Sequence, residues 1–369
     1  MCTSRLSPQT RLHTAWLLPG IIFLLVAIGT LSPSSFFLHE DTPTQHIAAI
    51  DLTKGCWGYS AATLAPMVLL ALPFAVGGPS PVWEMAILTL LGAAMAAAFY
   101  RLTARQTGSR RWAMLGTLWF ASLPTILYYT RMHIGYPLAF FTLGVTLHVE
   151  RRYTWAGIAL GLALTSHFNY VIPVAAWLGW SFLLDRETRK APALAQLAGG
   201  TLAPLVALET ARFLFNGVPF GWVREEVQDA LRLARAGSGD GAWPATHLLR
   251  FVQFSNGWVS MLLIVAGLAY PAVRRPRVPL MDAVALSGWS LIAFYALRIS
   301  LMHNTFLTPR MFSAAYPLLA VTAAFTLMRL WRGITTLLAK RTKPANNRIL
   351  HALGAGVVAL AVPAITISN

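Results

Sequence analysis

The stretch ATLAPMVLLALPFAVGG (residues 62–78) decides the topology of this chain. It is apolar enough to enter a bilayer, yet it contains Pro66 and Pro73 and leads into Gly-Gly-Pro-Ser-Pro. Irregular backbone that faces lipid is not tolerated at depth, so such a segment either crosses with shelter from other helices or lies in the interface. The distribution of charge along the rest of the chain separates these two cases.

The composition is that of a membrane protein. Of the 369 residues, 56% are hydrophobic and only 11% are charged, whereas a soluble domain carries about a quarter charged residues. Apolar runs of the ~20 residues that span hydrocarbon recur from one end to the other. These features predict an all-α polytopic membrane protein. The net charge of +16 then reflects basic cytoplasmic loops and gives no reason to expect a nucleic-acid partner.

Eleven of the twelve apolar segments are predicted to cross, with 62–78 held on the outer side. If the N-terminus is cytoplasmic and 62–78 does not cross, the cytoplasmic segments hold 20 of the 29 Lys and Arg but only four of the 13 acids. If 62–78 crossed, every later loop would flip, against the positive-inside rule. The predicted spans are 14–31, 81–100, 112–130, 135–149, 154–168, 170–184, 192–212, 250–273, 280–297, 311–328 and 349–367.

This topology predicts one transmembrane domain, residues 1–369, with a first outer loop at 32–80 and a second large outer loop at 213–249. Most acids and histidines fall on the outer side, so chemistry is expected there. The cytoplasmic loops are short and basic, with little besides topology to explain them. Segment 221–235 is amphipathic and predicts a second interfacial helix. Cys2 and Cys56 lie on opposite sides, so they cannot pair within one chain.

The first outer loop begins with polar residues ahead of a short helix. His39, Glu40 and Asp41 precede TPTQ (residues 42–45), which has the threonine cap, the early proline and the glutamine of a capping box. Negative charge is favourable just before a helix, so the acids either only support the helix or belong to a site. The helix is predicted to lie in the interface. Its apolar side is formed by Ile47, Ile50 and Leu52.

Basic side chains in other outer segments are predicted to face these acids. A lone arginine more often reaches to lipid headgroups, but several cations near acids suggest a site for a lipid-linked phosphate. Glu84, near hydrocarbon, is expected to turn toward the bundle interior. Glu209 and Arg212 are expected to pair on one helix face. The candidate cations and histidines are Lys54, Arg131, His133, Arg298, His303 and Arg310.

The arrangement resembles the GT-C superfamily of integral-membrane glycosyltransferases, most closely the branch of protein O-mannosyltransferases and aminoarabinose transferases. The first outer loop of that family carries an acidic pair, an alanine-containing helix, a glycine and a proline-rich segment. Here the corresponding residues are HE (39–40), HIAAI (46–50), Gly55 and Pro66. The tripeptide His39-Glu40-Asp41 stands where the family has Asp-Glu.

Three later segments extend the resemblance over about residues 14–330. GGPSPVWEMA (77–86), which contains Glu84, is similar to the start of the second span of the family. TRMH (130–133) is similar to its second outer loop. Arg310, in LTPRMFSAAYP (307–317), is similar to an arginine that opens a late span. The resemblance therefore implies a GT-C bundle of about eleven transmembrane helices with interfacial or re-entrant helices on the outer face.

The resemblance implies transfer of a sugar from a polyprenyl-phosphate donor to a lipid, glycan or protein acceptor on the periplasmic face of the bacterial inner membrane. Such transfer needs a base for the acceptor's proton and cations for the departing phosphate. Either Asp41 or Glu40 is the expected base. The family register favours Glu40, and a short side chain at a helix start favours Asp41. The expected phosphate ligands are Arg131, Arg298, Arg310 and Lys54, with His39, His133, His303 and Glu84 in support.

No cofactor is expected. The spacing of His39, His46, His133 and His303 matches no known metal-ligand pattern, so no metal is predicted. Two other functions stay open. One is a catalytically inactive GT-C-like subunit of a larger membrane complex, and the other is a transporter of lipid-linked sugar. The expected partners are membrane lipid, a polyprenyl-phosphate-linked sugar and its acceptor, with other membrane subunits in the first of these alternatives.

Overall fold

The computed structural model describes residues 18–21, 23–24, 41–56, 64–123, 126, 130, 132–217, 220, 224, 227–228, 231, 246, 258–275, 277–302 and 312–339. Within these ranges the regular structure is helical throughout. The helices are α1 (Asp41–Thr53), α2 (Leu64–Gly77), α3 (Pro81–Thr107), α4 (Arg110–Ser122), α5 (Gly135–Val149), α6 (Tyr153–Ser166), α7 (Val171–Leu184), α8 (Ala191–Asn216), α9 (Trp258–Val273), α10 (Pro279–Met302) and α11 (Ala315–Ala339). A short 3-10 helix (Phe168–Tyr170) joins α6 to α7.

These helices confirm the prediction of an all-α polytopic membrane protein. Helices α3, α8, α10 and α11 contain apolar stretches of 20–27 residues, long enough to cross a membrane, whereas α2, α5, α7 and α9 are apolar but shorter. Helices α3 to α11 overlap the predicted spans between 81 and 328, with bounds that differ by several residues at α4, α9 and α11. The span at 349–367 lies outside the described residues, so the count of eleven stays a prediction.

Local sequence signals set where α3 begins and ends. The side chain of Ser80 accepts a hydrogen bond from the amide of Val82 at 3.3 Å. Pro81 occupies the first helical position, where no intrahelical amide bond is lost. Gly108 ends the helix at φ +62°, in the left-handed region that favours glycine. Ser109 then caps α4, so α3 and α4 form a helical hairpin with a two-residue turn.

Helices α6 and α8 pack with their backbones in close contact. A Cβ atom on Gly157 of α6 would overlap the carbonyl oxygen of Leu197, and one on Gly200 of α8 would overlap that of Thr154. Small residues at such positions let two helices approach closely in lipid, where dispersion contacts stabilise their association. Helix α5 packs against α6 and also against α3, so these four helices form one side of the bundle.

Helix α11 closes the bundle. It contacts α9 and α10 and also packs against α3 and α4. On one side the ring of Phe325 meets Tyr270 of α9, with centroids 5.8 Å apart. On the other side Ala324 lies against Gly116 of α4. Together with the packing of α7 on α10, these contacts join the early and late parts of the chain.

The α3–α4, α5–α6 and α7–α8 connections meet at one end of the bundle, here called the Arg101 face. Nε of Arg101 donates to Oε1 of Glu150 at 2.8 Å. Arg151, in the same turn as Glu150, contacts Asp185 after α7, with Nη2 3.1 Å from Oδ1. These loops were expected to have a topological role only, which is incomplete because partly buried ion pairs also join α3 and the two loops to each other.

A chain of hydrogen bonds runs from Asp185 into the core. The hydroxyl of Thr188 donates to Asp185 at 2.7 Å and accepts from Nε2 of His148 at 2.8 Å. The indole of Trp177 donates to Nδ1 of His148 at 3.1 Å, so His148 is neutral and carries its proton on Nε2. Burial disfavours the charge of Asp185, but the hydrogen bonds from Arg151 and Thr188 outweigh burial and hold the pKa of Asp185 at about 2.

Helix α1 lies at the opposite end, here called the α1 face, and packs on α2. Ala48 clusters with Met67 of α2, and Ala49 clusters with Leu70. Of the residues expected on the apolar side of α1, Ile47 is 51% exposed, while Ala48 and Ala49 are buried. Alanine lets α1 approach α2 closely, and this register turns Ile47 away from the contact.

The limits of the outer helices differ slightly from the sequence expectation. Helix α1 begins at Asp41, so Pro43 lies inside its first turn instead of directly after a cap at Thr42. Helix α2 has 14 residues, a length of ~21 Å, the same as α6 and α7, which overlap predicted spans. The non-crossing placement of 62–78 therefore stays a prediction. The described residues of segment 221–235 are helical and exposed: Arg224, Val227, Gln228 and Leu231.

Candidate functional site

The site residues predicted from the sequence differ in their burial, and some of them lie outside the described residues. Glu84 and His133 are buried, at 1% and 5% exposure. Lys54 is exposed directly after α1, and Arg298 is half-buried in the last turns of α10. Asp41 is the first residue of α1. The remaining candidates lie outside the described residues: His39, Glu40, Arg131, His303 and Arg310.

Glu84 forms a buried contact between α1 and α3. It lies in the first turn of α3, and its Oε2 is 2.7 Å from Nε2 of His46 in α1. The side chain of His46 is 18% exposed and that of Glu84 only 2%. The imidazole also meets Phe74 of α2 nearly at a right angle, with centroids 5.3 Å apart. His46 is therefore held by both neighbouring helices, and its contact with Glu84 ties α1 to a membrane-spanning helix.

The second carboxylate oxygen of Glu84 is buried with a tyrosine hydroxyl nearby. In the described part of the chain, neither Oε1 of Glu84 nor the hydroxyl of Tyr136 has a hydrogen-bond partner. The charge of Glu84 acts on Tyr136, which is fully buried and packs on Leu88 one turn further along α3. Buried polar groups are normally hydrogen-bonded. The Glu84 carboxylate therefore relies on His46 for its hydrogen bond.

The rings of two histidines, His133 and His167, stack on each other at the α1 face. The rings of His133 and His167 are inclined by 19°, with centroids 5.8 Å apart. His133 lies in the turn before α5, and its carbonyl accepts from the amide of Tyr136 at 3.3 Å. Nδ1 of His167 accepts from the amide of Asn169 at 3.3 Å, so neutral His167 carries its proton on Nε2. This pair connects the surroundings of Glu84 with the 3-10 helix.

A group of hydrogen-bonded tyrosines follows the histidines. The hydroxyl of Tyr170 is 3.0 Å from Oγ of Ser313, in the turn before α11. The hydroxyl of Tyr295 in α10 donates to the carbonyl of Asn169 at 3.3 Å. Arg298 follows Tyr295 by nearly one turn, and its charge acts on that hydroxyl. Arg298 lies ~28 Å along α10 from its first residue, at the end where Tyr295 contacts Asn169. It therefore belongs to the α1 face.

Arg212 is a buried cation beside α1. It is 3% exposed and lies near the end of α8. Its neighbour Ala211 packs on the cluster that Leu208 forms with Ala48 of α1. The ion pair with Glu209 that the spacing predicts stays a prediction. Arg212 adds a positive charge to the same end of the bundle as Glu84.

Sequence reasoning missed the aromatic part of this site. Tyr136, Tyr170 and Tyr295 were not candidates, because tyrosines in apolar runs are usually core or interface residues. His46 was considered only as a metal ligand, and its partner Glu84 is 38 residues away. Ionisable groups are scarce in these helices, and such groups in a membrane usually pair with one another. This scarcity could have indicated that His46 and Glu84 are in contact. Among the described residues, no three His, Cys, Asp or Glu side chains are grouped to hold a metal.

The helical fold is similar to that of a solved membrane-protein structure. The chain has the GT-C fold. A solved structure similar to it is ArnT from Cupriavidus metallidurans bound to undecaprenyl phosphate, with a TM-score of 0.59, 13% sequence identity, and coverage of 96% of this chain and 70% of that chain. At this identity the likeness shows the fold alone. Protein-family models and curated proteins give no match.

Proposed function

We propose that this protein is a glycosyltransferase that moves a sugar from a polyprenyl-phosphate donor to an acceptor at the α1 face, on the periplasmic side of a bacterial inner membrane. The observation that carries the proposal is the fold, because the similar ArnT structure holds undecaprenyl phosphate. The polar groups of the α1 face support it, since ionisable side chains buried at membrane depth are usually functional. Within the GT-C superfamily, the sequence motifs favour the protein O-mannosyltransferase and aminoarabinose-transferase branch.

The reaction requires groups that handle a proton and a phosphate. The acceptor oxygen forms a bond to the anomeric carbon, the bond from that carbon to the phosphate oxygen breaks, and the acceptor's proton passes to a base. Asp41, at the start of α1, or Glu40 before it takes the proton in this proposal. Positive charge stabilises the departing phosphate because negative charge develops there in the transition state.

Arg298 is the described cation that suits the phosphate role best. It is half-buried at the α1 face, and arginine binds phosphate with two parallel hydrogen bonds. The other cations proposed for the phosphate are Lys54, Arg131 and Arg310. His133, which is buried beside His167, and His39 and His303 have supporting roles in this proposal, as does Glu84.

The proposal is tested with the purified chain in proteoliposomes. Native mass spectrometry compares the binding of undecaprenyl phosphate with that of phosphatidylglycerol, a phosphodiester lipid that controls for general lipid binding. Radiolabelled polyprenyl-phosphate sugars are then incubated with a membrane extract as the source of acceptors. We expect selective binding of undecaprenyl phosphate and label in a second molecule. Selective binding without transfer would contradict the enzyme and favour a transporter or an inactive subunit, and the absence of both would overturn the whole proposal.

A further inference from the structure

The contact between His46 and Glu84 connects the α1 face to the rigid part of the bundle. Glu84 lies in the 27-residue helix α3, which packs against α4, α5 and α11. His46 lies in α1, whose other described contacts are chiefly apolar packing against α2. The hydrogen bond of 2.7 Å therefore joins a short peripheral helix to a helix fixed on several sides.

This contact is difficult to break. The Glu84 side chain is 2% exposed. His46 contacts its Oε2, and its Oε1 has no hydrogen-bond partner among the described residues. Separation of His46 would leave a buried carboxylate without a hydrogen bond, which costs far more than separation of an exposed pair. Phe74, perpendicular to the imidazole, further restricts the ring. The orientation of α1 at His46 is therefore strongly determined.

His46 lies close to the start of α1. Asp41 precedes it by five residues in the same helix, a distance of ~7.5 Å along the axis. A helix is stiff over this length, so a constraint at His46 also sets the position of the first turn. Displacement of a reacting group by about 1 Å can cost ~100-fold in rate.

We propose that the His46–Glu84 contact positions the acidic start of α1 for sugar transfer, so that Glu84 and His46 are positioning residues of this site. This inference rests on the proposed glycosyltransferase function. It gives Glu84 a specific task, which is to hold α1 through its hydrogen bond without exchanging a proton with substrate. The side chain at 84 therefore needs an acceptor atom for His46 but does not need a negative charge.

Substitutions separate positioning from proton chemistry. Glu84→Gln keeps an oxygen acceptor for Nε2–H of His46, so we expect kcat within about threefold of wild type. Glu84→Ala and His46→Ala each lose the contact, and we expect kcat to fall by about 100-fold with binding of undecaprenyl phosphate unchanged. The double variant should be no worse than either single one, because both remove the same interaction. Ile47→Gln, on the exposed side of α1, is the matched control and should keep wild-type kcat.

A covalent replacement of the contact gives the decisive test. The His46→Cys/Glu84→Cys chain is made with Cys2 and Cys56 changed to serine and is treated with a short bifunctional methanethiosulfonate. We expect a high yield of cross-link and recovery of at least a tenth of wild-type kcat. A monofunctional methanethiosulfonate, which cannot join the two cysteines, should not restore kcat. Such recovery would show positioning, because the cross-linked side chains cannot exchange protons.

Several results would overturn the proposal. One is a Glu84→Gln variant as inactive as Glu84→Ala. Another is activity of His46→Ala that returns with added imidazole while the cross-linked chain stays inactive, which would make His46 the base. Full activity of His46→Ala would also refute it. If the wild type transfers no sugar, the proposed function fails, and the cross-link yield still tests the contact: a low yield then refutes the positioning of α1 as well.

Discussion

Arg151 and Asp185, 34 residues apart in the sequence, join the α5–α6 turn to the α7–α8 loop, with Nη2 of the arginine 3.1 Å from Oδ1 of the acid. The carboxylate also accepts from the amide and the hydroxyl of Thr188. One buried acid thus connects two loops that had only a topological explanation in the sequence. The face that carries no proposed chemistry therefore contributes to the stability of the bundle.

Asp185→Asn should lower stability by about 1–3 kcal/mol, because it removes a charge-assisted hydrogen bond from a buried network. The pKa of Asp185 is about 2 in the folded protein, below its ordinary value of 3.8. Its contribution is therefore present above about pH 4 and is lost as the pH falls through 2. Thermal unfolding in detergent should show the wild-type advantage at pH 7 and a smaller one near pH 2. As a control, Glu187→Gln removes an exposed pair with Lys190 and should change stability by less than about 1 kcal/mol.

Gly199 and Gly200 offer an internal comparison in α8. Alanine at 200 would overlap the carbonyl of Thr154, whereas alanine at 199 would meet no atom within 4 Å. We expect Gly200→Ala to destabilise by about 1–3 kcal/mol through overpacking. Gly199→Ala should be neutral or stabilising by up to about 1 kcal/mol, through helix propensity. Equal melting temperatures for the two variants would show that α6 and α8 are not in close contact.

The orientation in the membrane is tested with cysteines. Cys56 is exposed at the α1 face, and Arg105 is exposed near the Arg101 face. In a Cys2→Ser background, an impermeant thiol reagent added to intact cells should label Cys56. In a Cys2→Ser/Cys56→Ser chain that carries Arg105→Cys, the same reagent should label position 105 only after the membrane is permeabilised. Labelling at position 105 in intact cells would show that the topology is the reverse of the predicted one.

Arg298→Ala should weaken the binding of undecaprenyl phosphate by roughly 10–100-fold, the effect of losing a hydrogen bond to a charged group. Arg332→Ala removes an exposed arginine near the other end of the bundle and should leave the affinity unchanged. The two variants are compared by titration at low and moderate salt, because exposed charges are screened by salt. Equal affinities would remove Arg298 from the phosphate site.

Asp41→Asn should reduce transfer by about 10²–10⁴-fold, the range for a positioned base, while the binding of undecaprenyl phosphate is retained. Asparagine keeps the shape of the side chain and removes its charge. Glu40→Gln should cost less, because a longer side chain is less rigidly placed. The reverse order of the two variants would assign the base to Glu40, as the family register favours.

The sequence predicted the helices better than it predicted their faces. Hydropathy and charge located α3 to α11 because a span must be apolar along its whole length. The apolar residues of α1 did not identify the side that packs on α2: Ile47 is exposed, and the small Ala48 and Ala49 make the contact. In lipid both sides of a helix are apolar, so hydrophobicity alone does not identify the packed side.

The candidate site was only partly accessible from the sequence. Glu84 was expected to turn inward because an acid is costly in hydrocarbon, and it is buried. Its partner His46, and the tyrosine at 136, come from segments 38 and 52 positions away. Such contacts depend on how helices are arranged, and no local spacing encodes that arrangement. The roles given to Asp41 and Arg298 stay predictions.

The packing of α11 against α3 and α4 has a consequence for biosynthesis. About 200 residues separate the end of α3 from the start of α11, and ribosomes add about 5–20 residues per second. The surface of α3 that α11 covers is therefore without its partner for ~10–40 s after it emerges. During that interval the insertion machinery or lipid must cover this surface. Nascent chains that stall before residue 315 should remain associated with that machinery.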